Sequence, residues 1–181
     1  RKVADSEVDL ITHDSDGNRL VRNSETNLGD LCAEAIRSSV DADIGYINGG
    51  GIRSDISAGE ITFNDLLAVF PFNNTVVLAQ IKGQTIKDML EMAMMKWPNE
   101  NGSFPHLAGI KFSFNTQISS SVVINELEEF QGVSGEYRVY DIKIFNRETG
   151  TYEPIILNKE YTIAAANYYL LDYGSGMTML K

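Results

Sequence analysis

Arg53 closes the run Asn48-Gly49-Gly50-Gly51-Ile52-Arg53, the stretch of this chain best equipped for chemistry. Its guanidinium is a permanent cation with a planar fork of N–H donors, suited to a hydroxyl pair, a carboxylate or a phosphate. Three consecutive glycines leave bare amides that a ligand can approach and permit φ > 0 at little steric cost. Gly50 and Gly51 are therefore candidate contacts beside Arg53. A tight glycine turn with a solvated arginine fits the same spacing, since short glycine motifs recur without a function. Phe72 stands in Pro71-Phe72-Asn73-Asn74, where neither helix nor strand periodicity accounts for it. It is either a loop residue tucked into the core or one plate of a stacking clamp. Base–aromatic stacking contributes about 1–3 kcal/mol per base and tolerates different bases. Tyr168-Tyr169, just ahead of Leu170-Leu171-Asp172-Tyr173-Gly174-Ser175-Gly176, offers a second plate. Two aromatic loops and an arginine loop together predict a nucleoside pocket.

Other chemistry is poorly supplied. The chain has 2 histidines, His13 and His106, with no HExxH and no Cys/His cluster. A dinuclear or zinc hydrolase site draws on several His, Asp and Asn ligands, so no metal site is expected in this chain. His106, between Pro105 and Leu107, reads as a non-catalytic loop residue. His13-Asp14-Ser15-Asp16-Gly17-Asn18 lacks the full calcium-loop pattern and reads as a solvated turn. GxSxG, the P-loop and GxGxxG are all missing. The inventory describes a binder better than a catalyst. A net charge of −10 excludes the basic stripe that nucleic acid needs, while leaving room for a mononucleotide held by one or two cations. No apolar run is long enough to span a bilayer. The first residues, Arg1-Lys2, carry no methionine or signal peptide, so the chain reads as a piece of something longer. Cys32, the single cysteine, falls on an apolar helix face and reads as a small core residue.

The elements that must position these residues are legible as a period. The 181 residues, 43% hydrophobic and 22% charged, are enough for one domain with a sizeable core. Asn27 reads as an N-cap, and Leu28, Leu31, Cys32, Ala35 and Ile36 trace an amphipathic helix to about Ser39. Residues 43–48 form a strand that runs into the glycines. Ser57-Ala58-Gly59-Glu60 reads as a turn. Thr62 and Asp65 form a capping pair before a short helix through Val69, stopped by Pro71. Residues 75–81 are a β-branched strand and Lys82-Gly83 a turn. Ile86, Met89, Leu90, Ala93, Met94 and Trp97 make one apolar helix face ended by Pro98, with the methionines in the core. Residues 99–106 read as loop. Strands are expected at 110–114, 137–145 and 161–167, with a turn at Glu148-Thr149-Gly150. Residues 117–135 fit no period. Helices early and strands late predict an α+β fold, a single domain with a mixed β-sheet flanked by helices.

The ordered set Asn27-Leu28-Gly29-Asp30-Leu31, Asn48-Gly49-Gly50-Gly51-Ile52-Arg53, Gly59-Glu60-Ile61-Thr62, Pro71-Phe72-Asn73-Asn74, Lys82-Gly83 and the closing segment 167–176 resembles the C-terminal, substrate-binding domain of the 5'-nucleotidase / UDP-sugar hydrolase family. The resemblance runs from about Val21 to Leu180. It implies that residues 21–181 are that domain, and that residues 1–20 are an extended segment joining an N-terminal metallophosphoesterase domain outside this chain. That domain would carry a divalent metal pair and the catalytic dyad. This chain would need no cofactor and would hold a nucleoside or nucleoside monophosphate. Catalytic residues in this chain: none. The location implied is extracellular, periplasmic or at the cell surface. Position by position, the resemblance makes Arg53 and Arg22 substrate-contacting arginines and Asn48 a base or ribose contact. It makes Phe72 the first stacking aromatic with Asn74 beside it, and Tyr169 the second, or Tyr168 if the register slips by one. The family's Gly-Gly-Asp-Gly reads Tyr173-Gly174-Ser175-Gly176 here. Ser175 stands where an aspartate would accept from the ribose hydroxyls, and a neutral acceptor makes a weaker hydrogen bond than a charged one. Those departures leave open a packing or surface-interaction module that has lost its nucleotide.

Overall fold

The computed structural model describes all 181 residues, in the order β1 (Lys2–Ser6), α1 (Asn27–Ser39), β2 (Ile44–Asn48), β3 (Gly59–Thr62), α2 (Phe63–Val69), β4 (Val76–Lys82), α3 (Gly83–Ala93), β5 (Pro105–Ala108), β6 (Ile110–Phe114), β7 (Val122–Ile124), β8 (Phe130–Val133), β9 (Val139–Asn146), β10 (Thr151–Pro154), β11 (Glu160–Ala166) and α4 (Asn167–Leu170). The fold is the expected α+β arrangement. Its centre is a four-stranded sheet in the order β4-β11-β2-β5. β11 runs parallel to β2, with Ile163 opposite Ile44, and the outer pairs are antiparallel.

Side chains alternate across that sheet as strand geometry requires. Ile44 and Tyr46 join the larger core with Ile86, Met89 and Leu90 of α3. Ile47, on the opposite face, joins a second core with Leu28, Cys32 and Ala33 of α1. Between them Gly45 lets α1 lie directly on the sheet, because a Cβ there would stand 2.1 Å from the Ala33 carbonyl oxygen. Burial among these groups pushes the Cys32 thiol up to about 12, so it is a core residue as expected.

Several boundaries differ from the periodic reading. The N-cap of α1 is Thr26, whose Oγ1 accepts from Gly29 N at 3.1 Å. The Asn27 side chain instead accepts from Ile11 N and donates to Asp9 O, tying the first residues to the helix. Gly59 and Glu60, expected in a turn with Ser57 and Ala58, instead begin the strand β3, because β1 pairs with it and supplies the missing ladder. The segment 1–20 is thus stitched onto the domain, with a further bridge between Leu10 and Ile56. Thr62 N and Oγ1 both donate to Asp65 Oδ2 at 2.7 Å, and α2 ends at Val69 as expected. Lys82-Gly83 is a direct junction of strand to helix, locked by Gly83 N donating to Lys159 O at 2.9 Å. α3 stops at Ala93, four residues before Trp97, and turns carry the apolar face onward. His106 lies within β5, not in a loop, because Ile47 of β2 pairs with it. Residues 117–135 hold the hairpin β7–β8, and Gly150 turns β9 into β10, a strand whose exposed face left no period to read.

Candidate functional site

β2 ends at Asn48, and Gly49–Gly51 form one 3₁₀ turn. None of the three glycines has a positive φ. They are required by close approach. A Cβ on Gly49 would stand 1.8 Å from Val21 O, one on Gly50 2.9 Å from Gly102 O, and one on Gly51 2.9 Å from Asn48 Oδ1. The amides are not all bare either: Gly49 N donates to Phe104 O and Gly50 N to Gly102 O. Asn48 Nδ2 donates to the same Gly102 carbonyl at 2.8 Å. The turn is a joint that brings residues 20–22 and 101–104 together behind it. Buried Ile52 anchors its far end, Arg53 N donates to Val69 O, and the guanidinium emerges with Nη1 3.3 Å from Gly50 O.

Two openings lie near Arg53, which lines the smaller and approaches the larger only through Phe72. On one side is a cleft of about 240 Å³ whose wall includes Asn48, Gly51, Phe72 and Asn74 with the apolar Ile36 and Phe70. Phe72 is 53% exposed, so its ring face is available. The Arg53 Cζ stands 6.0 Å from that ring's centroid, within cation–π range. On the other side is a niche of about 40 Å³ lined by Thr12, His13, Arg19, Arg22 and Arg53. Buried Arg22 Nε has no hydrogen-bond partner. Burial lowers the Arg22 pKa, the charges of Arg19 and Arg53 lower it further, and only Glu100 opposes them. Three guanidiniums converge there, a local concentration of positive charge in a chain of net charge −10.

The closing segment is placed differently. Tyr169 is 1% exposed, packed edge-on against Tyr46 with ring centroids 5.1 Å apart, and burial pushes its hydroxyl up to about 12. A ring enclosed in that way offers no free face, whereas that of its neighbour Tyr168 is partly open to solvent. Tyr168 is 39% exposed and packs over Gly174, where a Cβ would meet its ring at 2.2 Å. Neither tyrosine lines the 240 Å³ cleft, whose aromatic walls are Phe70 and Phe72. Asn167 does tie the segment to that cleft: its N donates to Thr75 O, and its Oδ1 accepts from Thr75 N at 2.9 Å. Ser175 is also not where the sequence placed it. Its Oγ lies 3.3 Å from Tyr168 OH and 3.4 Å from Tyr169 OH, and it lines a separate cavity of about 310 Å³ with Asn101 and Ser103.

The structure therefore brings Asn48, Gly51, Phe72 and Asn74 together, joins them through Phe72 and Arg53 to Arg22, and sets Gly50, Tyr168, Tyr169 and Ser175 behind or apart. Sequence reasoning missed Arg19, His13 and Phe70. Arg19 and Arg22 are three residues apart across a 3₁₀ turn, where i and i+3 eclipse, so that spacing was a usable signal. The donor set does not fit a metal pair. No group of three or more His, Cys, Asp or Glu is placed to hold an ion. His106 Nε2 is 2.9 Å from Val21 O, and His13 Nδ1 is 2.7 Å from Thr12 Oγ1.

Residues 2–181 match the family model described as 5'-nucleotidase, C-terminal domain. A 5'-nucleotidase of Vibrio parahaemolyticus is 33% identical over 156 residues, which are 86% of this chain and 26% of that protein. The trifunctional nucleotide phosphoesterase YfkN of Bacillus subtilis is 41% identical over 98 residues, 52% of this chain and 7% of that protein. A 5'-nucleotidase precursor from Thermus thermophilus superposes with a TM-score of 0.82 at 27% identity, over 99% of this chain and 32% of that one. The chain thus spans a third or less of the length of these relatives.

Proposed function

The chain belongs to the 5'-nucleotidase C-terminal domain family, and from that premise we propose that it is the nucleotide-recognition part of a two-domain, metal-dependent 5'-nucleotidase-type phosphohydrolase. The observation that carries this reading is Arg53. Its guanidinium lines a niche built from arginines and stands over the ring of Phe72, which walls an apolar cleft of about 240 Å³. A nucleoside monophosphate has that pair of ends. The base lies on Phe72, Asn48 and Asn74 meet its polar edge or the ribose, and Arg22 and Arg53 hold the phosphate. Tyr168 is the second plate. Its exposure, and the tie of Asn167 to Thr75 at the cleft, support that role. The divalent metal pair, the water that attacks phosphorus and the catalytic dyad are assigned to a metallophosphoesterase domain that residues 1–20 would join, in an enzyme exported to the periplasm, cell surface or medium.

Calorimetry with adenosine and AMP tests the reading. Phe72→Ala should weaken both by about 5- to 150-fold, the equivalent of a base–aromatic stack. Arg53→Gln should weaken AMP far more than adenosine. With divalent metal and no other domain, the chain should release no phosphate from AMP. The buried Tyr169 and the Ser175 that bonds its own tyrosines favour a second reading, a packing module without a ligand. No heat and no melting shift with either compound at millimolar concentration would select it.

A further inference from the structure

The arginine niche already has an anion at its edge. Arg19 Nη1 lies 3.7 Å from Glu100 Oε2, and the two side chains are 40% and 50% exposed. That separation is beyond a hydrogen bond, so the contact is Coulombic, and exposed pairs of this kind contribute little to stability. The backbone that carries Glu100 is, by contrast, firmly held. Asn101 N donates to Arg22 O at 2.8 Å, Asn101 Nδ2 to Ala93 O at 2.9 Å, and Gly102 O accepts from both Gly50 N and Asn48 Nδ2. A fixed backbone beside the cluster, a loosely held carboxylate and a buried guanidinium nitrogen with no partner are the parts of an exchangeable counter-ion.

We propose that Glu100 is an internal stand-in for the ligand's anion: it pairs with Arg19 while the niche is empty and is displaced when a phosphate enters. The inference rests on the reading of the niche as the phosphate end of the site. It also sets a substrate class. A singly charged ligand group only replaces one carboxylate by another charge of equal size, so it gains little. A phosphomonoester dianion or a diphosphate brings enough charge to take Arg19 as well as Arg22 and Arg53. Arg19 is then a specificity-determining residue for multiply charged phosphate, and Glu100 the filter against weaker anions.

The test uses pyrophosphate as the probe, with dissociation constants measured by calorimetry at low salt, where exposed charges are least screened. Glu100→Gln should tighten pyrophosphate by about two- to fivefold, the range of an exposed ion pair. Arg19→Gln should loosen it by a similar factor. In the double variant the gain from Glu100→Gln should vanish, because its partner is gone. Glu148→Gln, at a carboxylate lining a different cleft, should leave binding unchanged and controls for net charge. Unchanged or looser binding in Glu100→Gln, an equal gain in Glu148→Gln, or a gain that persists without Arg19 would each overturn the proposal. If Arg53→Gln still abolishes binding in those cases, the niche remains a phosphate site and only the role of Glu100 is lost. If neither the original chain nor Glu100→Gln binds pyrophosphate, both readings go.

Discussion

β2 and β11 lie side by side and parallel, and each delivers a loop from its C-terminal end, yet the two loops are built on opposite principles. The loop after β2 keeps its glycines out of the left-handed region and uses its backbone to fix neighbours, while its Arg53 lines the arginine niche beside Arg22, whose Nε has no partner, and stands over Phe72 of the cleft wall. The loop after β11 is bonded to itself. Tyr169 is in the core, Ser175 bridges the two tyrosine hydroxyls, and Tyr173 and Ser175 sit at φ 52° and 57°. Left-handed backbone at a non-glycine residue costs of order 1–3 kcal/mol, so the packing of the tyrosines must offset it. The first loop can only gain by meeting a ligand; the second must break bonds to do so. That contrast explains why the arginine side carries the functional argument.

The sharpest way to break the contrast is to truncate the two adjacent tyrosines in turn. Tyr169→Ala removes a ring from the core and should cost about 3–5 kcal/mol, read as a lower urea midpoint at constant slope. Tyr168→Ala removes a partly exposed ring and should cost less than about 1 kcal/mol. On the proposed reading it should nevertheless weaken adenosine by about 5- to 150-fold, whereas a core residue would do so only by unfolding the chain. Equal losses of stability would mean that the closing loop is not divided into a core half and a surface half.

The same contrast shows what was legible in the sequence. The helix α1, the strand before the glycines and the Thr62–Asp65 cap were readable because each is a local pattern that the fold keeps, but the buried face of α1 is turned from the expected one: Leu31 and Ala35 are exposed, and Gly29 and Ala33 are buried beside Leu28 and Cys32. The glycine loop was found for a partly mistaken reason. Its glycines suggested bare amides and left-handed turns, and what they provide is room for Val21 and Gly102, contacts between residues far apart in sequence. Arg19, and the meeting of Arg22 with Arg53 in one niche, were not legible for the same cause, since only the fold brings residues 12–22 to Arg53. β1, β3 and β10 are too exposed and too short to show a period; each exists because a partner strand supplies its ladder. Which of Tyr168 and Tyr169 faces outward is not legible from a count along a loop that carries two left-handed residues; the fold buries Tyr169 and leaves Tyr168 partly exposed.

A smaller effect separates the glycines of the two loops. Gly49→Ala would drive a methyl into the Val21 carbonyl oxygen, a backbone atom that cannot turn aside, and should cost about 1–3 kcal/mol. It should also weaken pyrophosphate, because the same shift moves Arg22 away from Arg53. Gly174→Ala meets only the ring of Tyr168, which is exposed enough to swing, so the cost should stay near about 0.5 kcal/mol. Chemical denaturation of both variants checks the pair, and a Gly174→Ala loss as large as that of Gly49→Ala would show that Tyr168 is held as firmly as a core residue.

The smallest effect at neutral pH appears only in alkali. Burial raises the Tyr169 hydroxyl to about 12 and pushes Tyr46 well above its ordinary value. The folded chain therefore keeps protons that the unfolded chain releases near the ordinary tyrosine pKa of about 10. Below that pH the two states bind the same number of protons on these groups, and stability should not depend on them. From about 10 towards 12 the unfolded state binds fewer, so stability should fall as pH rises. Tyr137 and Cys32, also raised to about 12, add to the decline, so Tyr169→Phe removes one contribution among several and should flatten it in part in a series of urea midpoints. Absorbance near 295 nm offers a second check, since these two tyrosines should ionise only as the chain unfolds. If Tyr169→Phe leaves the alkaline slope unchanged, then Tyr169 is as open to water as its neighbour, and the closing loop is free to receive a base after all.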